Sequence, residues 1–355
     1  MIGILTFQST NNFGANLHAI ALCNKVNELG IESEIIDYIC PSLQMRETAE
    51  FKMSPNPKRL IWYLLYGHTL KDKFKSLAKE LRLYTQVGPS YLPETIKGAN
   101  DRYSGFLLGS DVVWSMRISN YDYNYAFAFA DNNKMLNAFS SSVGETNLYR
   151  DDTQLPYLLR RFNHIAVRDE DAVKWVKDLS GKDATYVCDP TMLYTDQEWD
   201  QILKPIKYNG DYVLIYFIDP KGKLNSDAID YATKHGYKVK IINYGKPISG
   251  METVRPKTLA EFVGLIKHSK AMFTASYHGM LFALFYQREI FYYNRSLKGR
   301  MISLASKFGI ENHNGDNYGK DIPPINYKEV MPRIDEFRNY SLSILKEILK
   351  DYGNR

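Results

Sequence analysis

The chain has 355 residues, of which 45% are hydrophobic and 24% are charged, with a formal net charge of +5 at pH 7. This composition is that of a globular protein, and the length favours two domains over one. The charge is modest and contains no block of like charges, so it gives no indication of nucleic-acid binding, although it permits an anionic substrate. The sequence does not indicate the oligomeric state.

The cysteines are Cys23, Cys40 and Cys188, which lie far apart in the sequence and outside any spacing typical of metal ligands. We therefore expect buried, reduced thiols and no metal site. The chain enters a strand directly after Met1, without the pattern of an export signal, and no stretch reaches the roughly 20 apolar residues of a membrane span. These features predict a cytoplasmic protein.

The N-terminal part begins with a βαβ pattern. An apolar strand at 2–7 is followed by a polar loop, a helix at 15–30 that ends on Gly30, and a second strand at 31–38. Residues 56–86 interrupt this pattern with a basic, aromatic segment of helical period. Apolar strand-like runs then return at 104–111, 135–144, 164–167 and 184–190.

A polar stretch after Pro190 predicts a hinge, and a second series of strands and helices follows it. Its predicted strands lie at 212–219, 237–243, 270–276 and 289–294, and its predicted helices include 258–269, the stretch after His278 and a last helix at 335–353. The fold class expected from this order is α/β, with two Rossmann-like domains facing each other across a cleft. The predicted division is 1–190, 191–330 and a C-terminal helix at 331–355 that packs back on the first domain.

Ligands of such sheets bind beyond the carboxyl ends of the strands, so the loops there hold the candidate site residues. In the first loop, Asn11, Asn12 and Asn16 offer amides that suit sugar hydroxyls, and Gly14 lies where a helix begins. An equally weighted interpretation is that Asn12 is only a helix cap. The glycines of a dinucleotide-binding GxGxxG pattern are absent.

Two further strand ends carry charge. Asp111 follows an apolar strand and is a candidate acid or base, although a turn or helix cap is the more common role of such a residue. Arg168 ends another apolar strand, where its guanidinium could bind a carboxylate or a phosphate. The alternative for Arg168 is an ion pair with Asp169 or Glu170.

The stretch "TASYHGMLFAL" places Ser276, Tyr277, His278 and Gly279 on a strand-to-helix turn. A histidine at this position is a candidate donor or base for an anionic ligand, and the glycine would let the backbone approach that ligand. Beyond the next strand, the basic residues form either an anion-binding cluster or a solvated loop: Arg295, Lys298 and Arg300.

The motifs "NNFGANLHA", "LLGSDVVW", "VRDE", "CDPTML" and "ASYHGMLFAL" occur in this order over residues 2 to 310. Together they resemble the polysaccharide pyruvyl transferase family. The resemblance implies a GT-B-like fold and a transferase that moves a carboxyethylidene group from phosphoenolpyruvate, as co-substrate, to a sugar of a surface polysaccharide or its lipid-linked precursor. It implies no cofactor and no metal.

In the resemblance, Arg168 and His278 align with residues that hold the donor, and the chemistry of the other candidate residues gives a hypothesis for their roles. The acceptor would bind the N-terminal domain at Asn11, Asn12, Gly14 and Asn16, with Asp111 assisting its hydroxyl. The donor would bind mainly the C-terminal domain, with His278 as a catalytic residue. The residues assigned to donor binding are Arg168, Ser276, Tyr277, Gly279, Arg295 and Arg300. Some family members carry an arginine where this chain has Ser276, so Arg295 or Arg300 is the expected source of that charge.

Two other functions remain open on this fold: a GT-B-type nucleotide-sugar glycosyltransferase and a non-catalytic glycan-binding protein. The basic aromatic segment at 56–86 is typical of a helix that covers a core, and a second interpretation is an interfacial helix. That interpretation would allow peripheral contact with the inner face of the membrane, where a lipid-linked acceptor resides.

Overall fold

The chain forms two compact units in a computed structural model that describes residues 1–52, 56–144, 152–217, 222–294 and 298–353. The first unit consists of Met1–Glu47, Ala78–Tyr194 and Asp335–Arg355. The second unit consists of Thr48–Leu77 and Thr195–Ile334.

Parallel β-strands form the centre of each unit. The strands of the first unit are β1 (Ile2–Leu5), β2 (Ser33–Tyr38), β3 (Val87–Tyr91), β4 (Gly105–Leu108), β5 (Met135–Ser141), β6 (His164–Val167) and β7 (Thr185–Tyr186). The strands of the second unit are β8 (Tyr212–Tyr216), β9 (Lys238–Ile242), β10 (Glu252–Val254), β11 (Ala271–Thr274) and β12 (Glu289–Tyr292).

The strands alternate with α-helices along most of the chain. In the first part of the chain these are α1 (Phe13–Glu28), α2 (Pro41–Thr48), α3 (Pro57–Trp62), α4 (His68–Tyr84), α5 (Ala99–Arg102), α6 (Gln154–Arg160) and α7 (Glu170–Ser180). In the second part they are α8 (Asp196–Leu203), α9 (Lys223–His235), α10 (Leu259–Lys267), α11 (Tyr277–Phe285), α12 (Lys298–Phe308) and α13 (Tyr327–Gly353).

Both sheets have the same kind of strand order. Among the described residues, the first sheet runs β3-β2-β1-β4-β5-β6-β7 and the second runs β10-β9-β8-β11-β12, with every pairing parallel. The order reverses between β1 and β4 in the first sheet and between β8 and β11 in the second. Ligands of open parallel sheets bind beyond the carboxyl ends of the strands at such a reversal.

The sequence explains why these segments form central strands and stable helices. Every residue of β1, β4, β8 and β11 is buried, as expected for strands that are covered on both faces and therefore consist of continuous apolar runs. Two helices of the second unit begin with a capping box, Thr195 with Glu198 at α8 and Thr258 with Glu261 at α10. The predicted α/β class with two Rossmann-like units is confirmed.

The structure adds elements that the sequence did not predict. β3 contains Pro89 and lies at the edge of its sheet, where a strand can lack one backbone donor. β10 is a short strand at the edge of the second sheet. The polar stretch interpreted as a hinge contains the helix α8. The Trp199 side chain of this helix is fully buried and packs against Phe282.

The two units also differ from the predicted domain boundaries. Residues 48–77, predicted within the first domain, belong to the second unit, where the Lys73 ammonium lies 4.6 Å from the ring centre of Tyr244 and Lys257 pairs with Asp72. The sequence could not predict this assignment, because the residues that contact 48–77, such as Tyr244 and Lys257, lie far along the chain.

The predicted C-terminal helix begins earlier than expected, at the start of α13. Its part from Asp335 onward belongs to the first unit, where the Ser341 hydroxyl accepts a hydrogen bond from the backbone N–H of Cys188 at 2.9 Å. Tyr352 donates to the carbonyl of Phe106 in the same unit, at 2.6 Å. In the described part of the chain, no helix combines the length and apolar character needed to cross a membrane.

The thiols are in the environment that the sequence predicted. Cys23, Cys40 and Cys188 are all buried and free. Burial raises the pKa of each thiol above its usual value, and that of Cys188 to about 12. They are therefore protonated at neutral pH.

At Gly264, the helix α10 packs closely against the backbone of Ile206. A Cβ at this position would lie 2.2 Å from the carbonyl oxygen of Ile206, whose backbone N–H donates to Ala260 at 3.1 Å. Because backbone cannot move aside cheaply, we expect Gly264→Ala to destabilise the protein by about 1–3 kcal/mol in urea denaturation. The control is Gly98→Ala, where the nearest atom would be 3.9 Å away and φ is −62°. Equal effects of the two substitutions would contradict this account.

Candidate active site

Four polar side chains meet at the carboxyl edge of the first sheet. Ser110 and Asp111 follow β4, Arg168 follows β6, and Asp189 lies shortly after β7. We call these four residues the strand-end cluster. β4 borders the point where the strand order reverses, so the cluster lies where this fold binds ligands.

Arg168 joins the members of the cluster. Its Nη1 donates to Asp189 Oδ2 at 2.7 Å and to the Ser110 hydroxyl at 3.2 Å, and its Nη2 lies 3.7 Å from Asp111 Oδ1. The side chains of Arg168 and Asp189 are 1% and 0% exposed. The expected alternative partners are not the ones observed: the carboxylate of Asp169 instead accepts from the Ser142 hydroxyl. The guanidinium is therefore held by groups within the first unit.

Asp111 is more accessible and has an unusual backbone. Its side chain is 14% exposed, and its φ is +73°, a left-handed conformation that side chains adopt at some cost but that aspartate tolerates better than most residues. Its Oδ1 accepts from the backbone N–H of the next residue, Val112, at 2.9 Å, a local contact that is neither an Asx-turn nor a helix cap. The carboxylate is nevertheless the most solvent-accessible group of the strand-end cluster.

His18 was not identified from the sequence as a site residue. It lies on α1, is fully buried, and places its Nε2 3.8 Å from Asp111 Oδ2. Its place in the first motif was visible, but only the fold brings α1 against the end of β4. The described residues contain no cluster of three or more histidine, cysteine, aspartate or glutamate side chains that could hold a metal ion.

The predicted acceptor residues lie in the loop between β1 and α1, which holds Asn11 and Asn12, and in the first turn of α1, which holds Gly14 and Asn16. Asn12 caps α1, since its side chain accepts from the N–H of Gly14 at 2.9 Å, as the alternative interpretation proposed. Asn16 donates to the carbonyl of Asn12 at 3.0 Å, and Asn11 donates to the carbonyl of Glu47 at 3.0 Å. These bonds fix the shape of the loop.

Three buried amide oxygens of this loop and the first turn of α1 accept no hydrogen bond from the described residues. They are Oδ1 of Asn16, which is fully buried, Oε1 of Gln8, which is 2% exposed, and Oδ1 of Asn11. The amide nitrogens of all three residues are bound to backbone carbonyls, which fixes where the oxygens lie. Buried acceptors normally have a donor, so these oxygens suit hydroxyl groups or water. Sequence reasoning missed Gln8.

In the second unit, the predicted turn joins β11 to α11, beside the reversal of strand order. Ser276 caps α11 by accepting from the N–H of Gly279 at 3.2 Å. Tyr277 and His278 are the first residues of the helix, with ring centres 5.5 Å apart in an edge-to-face arrangement. His278 is 6% exposed and lies at the positive end of the helix, where anions are stabilised.

Gly279 has a packing role that the sequence did not indicate. A Cβ there would lie 2.8 Å from the Met272 side chain and 2.9 Å from the Thr274 hydroxyl, both on β11. The glycine thus allows α11 to pack closely on the strand. Arg300 lies in the first turn of α12, beyond the end of β12, and Arg295 lies outside the described residues.

A comparison of the chain with models of known protein families finds a match over the part of the sequence that contains most of these residues. The family model described as polysaccharide pyruvyl transferase matches residues 12–296. The chain belongs to the polysaccharide pyruvyl transferase family. The predicted family is thus confirmed, and it is a family of transferases. No curated protein matches the chain by sequence.

Solved structures share the fold at low sequence identity. A putative UDP-N-acetylglucosamine 2-epimerase from Listeria monocytogenes has a TM-score of 0.55 and 9% identity, covering 99% of this chain and 97% of its own. Another UDP-N-acetylglucosamine 2-epimerase has a TM-score of 0.52 and 10% identity, covering 100% and 96%. These epimerases are GT-B-like, and the likeness supports the fold class alone.

Family membership and geometry agree on the first unit. Residues from the motifs "GSDVVW", "VRDE" and "CDPTML" meet in the strand-end cluster, and His18 of "NNFGANLHA" lies beside it. Not every motif residue faces the cluster. Trp114 is fully buried and stacks on Trp175 with ring centres 6.4 Å apart, so its role is in the core.

Removal of the charge on Asp189 tests the cluster. Because Asp189→Asn would leave the Arg168 guanidinium buried without its closest carboxylate, we expect a loss of about 3–5 kcal/mol in the free energy of unfolding. The control is Asp183→Asn, whose side chain is 92% exposed and pairs with Lys177 on the surface. That change should leave the urea midpoint almost unchanged. A similar midpoint for both variants would refute the structural role of the pair.

Proposed function

We propose that the protein is a pyruvyl transferase that moves a carboxyethylidene group from phosphoenolpyruvate to a pair of sugar hydroxyls of a surface polysaccharide or its lipid-linked precursor. The observation that carries this proposal is the family match over residues 12–296, which includes the strand-end cluster, His18 and the turn that begins α11. The reaction would take place in the cytoplasm, at the inner face of the membrane when the acceptor is lipid-linked. It requires no cofactor.

The proposed reaction defines what the protein must supply. The methylene carbon of phosphoenolpyruvate gains a proton and becomes a methyl group, and the oxygen of one sugar hydroxyl bonds to the adjacent carbon. The bond from that carbon to the phosphate oxygen then breaks, and a second hydroxyl closes the ketal. One hydroxyl proton balances the proton that the methyl group gained, and the other leaves with phosphate as HPO₄²⁻. The protein must bind an anion, deliver a proton and accept one.

The acceptor is assigned to the first unit. Asp111 is the group assigned to remove a hydroxyl proton, since its carboxylate is partly exposed at the end of β4. The buried amide oxygens of Asn16 and Gln8 are compatible with this assignment, because they suit a hydroxyl group or a water molecule. The bonds of Arg168 to Asp189 and Ser110 favour a role in holding the cluster in place, while direct contact between Arg168 and the donor stays a prediction.

The donor is assigned to the second unit. The first turn of α11 directs backbone N–H groups toward the space in front of Tyr277 and His278, and such a helix end favours phosphate or carboxylate. His278 would bind or protonate the phosphate. Arg300 and Arg295 are the proposed source of the cationic charge that Ser276 does not provide.

The reaction type is tested by mass spectrometry of a glycan acceptor after incubation with the protein and phosphoenolpyruvate. We expect the acceptor to gain one carboxyethylidene unit and inorganic phosphate to appear in equal amount. A separate incubation with UDP-sugars should release no UDP, and release of UDP would favour a glycosyltransferase. If neither donor reacts but phosphoenolpyruvate at 100 times its dissociation constant still adds about 2.7 kcal/mol of stability, the protein binds without catalysis.

The two assigned catalytic groups are tested by conservative substitutions. Asp111→Asn keeps the shape and the tolerance for positive φ but removes the base, and His278→Gln removes the proton donor. We expect each change to lower kcat by about 10²–10⁴-fold, because general acid or base catalysis contributes this much. The matched controls are Asp183→Asn and His235→Gln, at exposed positions, which should keep the wild-type rate. A wild-type rate for Asp111→Asn or His278→Gln would remove the role assigned to that residue.

A further inference from the structure

The second unit exposes a compact group of aliphatic side chains on the helical stretch formed by α3 and the π-helical turn Tyr63–Gly67. We call residues 56–68 the α3 surface. Ile61, Leu64 and Leu65 are 57%, 63% and 57% exposed. Because residues at spacings of three and four share one face of a helix, the three side chains form one apolar patch. Contiguous exposed patches of this kind mark interaction sites more often than scattered single residues do.

The opposite side of the same stretch is anchored in the second unit. Trp62 and Tyr66 are half-buried, with ring centres 6.2 Å apart, and the Arg255 guanidinium lies 5.9 Å from the ring centre of Tyr66. Gly67 is buried, and a Cβ there would lie 2.8 Å from the ring of Tyr63. These contacts hold the aromatic side inward and direct the aliphatic side to solvent.

The positive charge around the patch indicates which kind of partner it fits. Lys58 and Arg59 are exposed in the first turn of α3, and Lys71 follows on α4, while no acidic residue occurs from Asn56 to Lys71. An apolar face bordered by cations, with aromatic residues nearby, is typical of helices that lie in the interface of an anionic membrane. A second copy of the chain fits less well, because a twofold interface would place this stretch against itself, and it offers Lys58 and Arg59 no carboxylate from Asn56 to Lys71.

We propose that the α3 surface docks the protein on an anionic lipid membrane, with Ile61, Leu64 and Leu65 entering the interface and Lys58 and Arg59 contacting the headgroups. The inference does not depend on the transfer reaction, because vesicle binding requires neither donor nor acceptor. It would place an enzyme of this family beside a lipid-linked substrate.

Co-sedimentation with vesicles tests the proposal. The full-length protein should bind vesicles of equimolar phosphatidylcholine and phosphatidylglycerol, and it should not bind phosphatidylcholine alone. Leu64→Ser/Leu65→Ser should weaken binding at least about tenfold, because two apolar side chains no longer enter the interface. The matched control is Ile229→Ser/Ile302→Ser, at 39% and 43% exposed positions of the same unit, which should bind as the wild type does.

The electrostatic part is tested separately. Lys58→Glu/Arg59→Glu should also lower binding about tenfold or more, and added salt should weaken the wild type in the same direction. The control Lys328→Glu/Lys346→Glu changes the net charge equally at exposed positions elsewhere. Equal losses in this control would show nonspecific attraction and overturn the proposal.

Three further results would overturn it: no binding to either vesicle, binding that both α3 variants retain, or self-association of the wild type that Leu64→Ser/Leu65→Ser abolishes without lipid. Pyruvyl transfer to an acceptor that carries no lipid should be unchanged in Leu64→Ser/Leu65→Ser. Failure of the reaction and failure of the membrane contact are therefore separate outcomes.

Discussion

The buried ion pair between Arg168 and Asp189 holds together the part of the first unit on which the candidate site depends. Its two side chains follow different strands, and at the end of a third strand both contact Ser110 while Arg168 also lies near Asp111. Removing such charges from water costs several kcal/mol each, so the pair is weak evidence for stability by itself. Its consequence is positional: with both charges fixed, the partly exposed Asp111 carboxylate lies at the reversal of strand order, beside His18.

The second unit positions its candidate residues through the packing of a helix on a strand. There the polar residues lie on the first turn of α11, and their position follows from how closely that helix packs on β11. Gly279 permits the close packing and Ser276 caps the helix, so the backbone N–H groups and His278 are presented by rigid elements. Each unit therefore displays its motif residues at the carboxyl end of its own sheet, through different local contacts.

Family membership indicates the class of reaction. The contacts seen in the structure distinguish motif residues with a structural role from motif residues that are candidates for binding or catalysis. Trp114 and Gly279 belong to conspicuous motifs, and both have packing roles. Asn12 acts as a helix cap. In contrast, the buried oxygens of Asn11, Asn16 and Gln8 accept nothing from the described residues, so they suit a hydroxyl group or a water molecule.

The sequence by itself determined the α/β class, the motif loops at strand ends and the family, because these depend on local hydrophobic period and on short residue patterns. It could not find β3 or β10, whose short edge positions leave little apolar pattern, nor the helix in the polar stretch after Pro190. It also missed His18 and Gln8, and it offered Arg168 neighbouring partners instead of Asp189. Only the tertiary structure decided these points, since they depend on contacts between residues far apart in the chain. The place of residues 48–77 in the second unit has the same cause: their partners, such as Lys257 and Arg255, lie far along the chain.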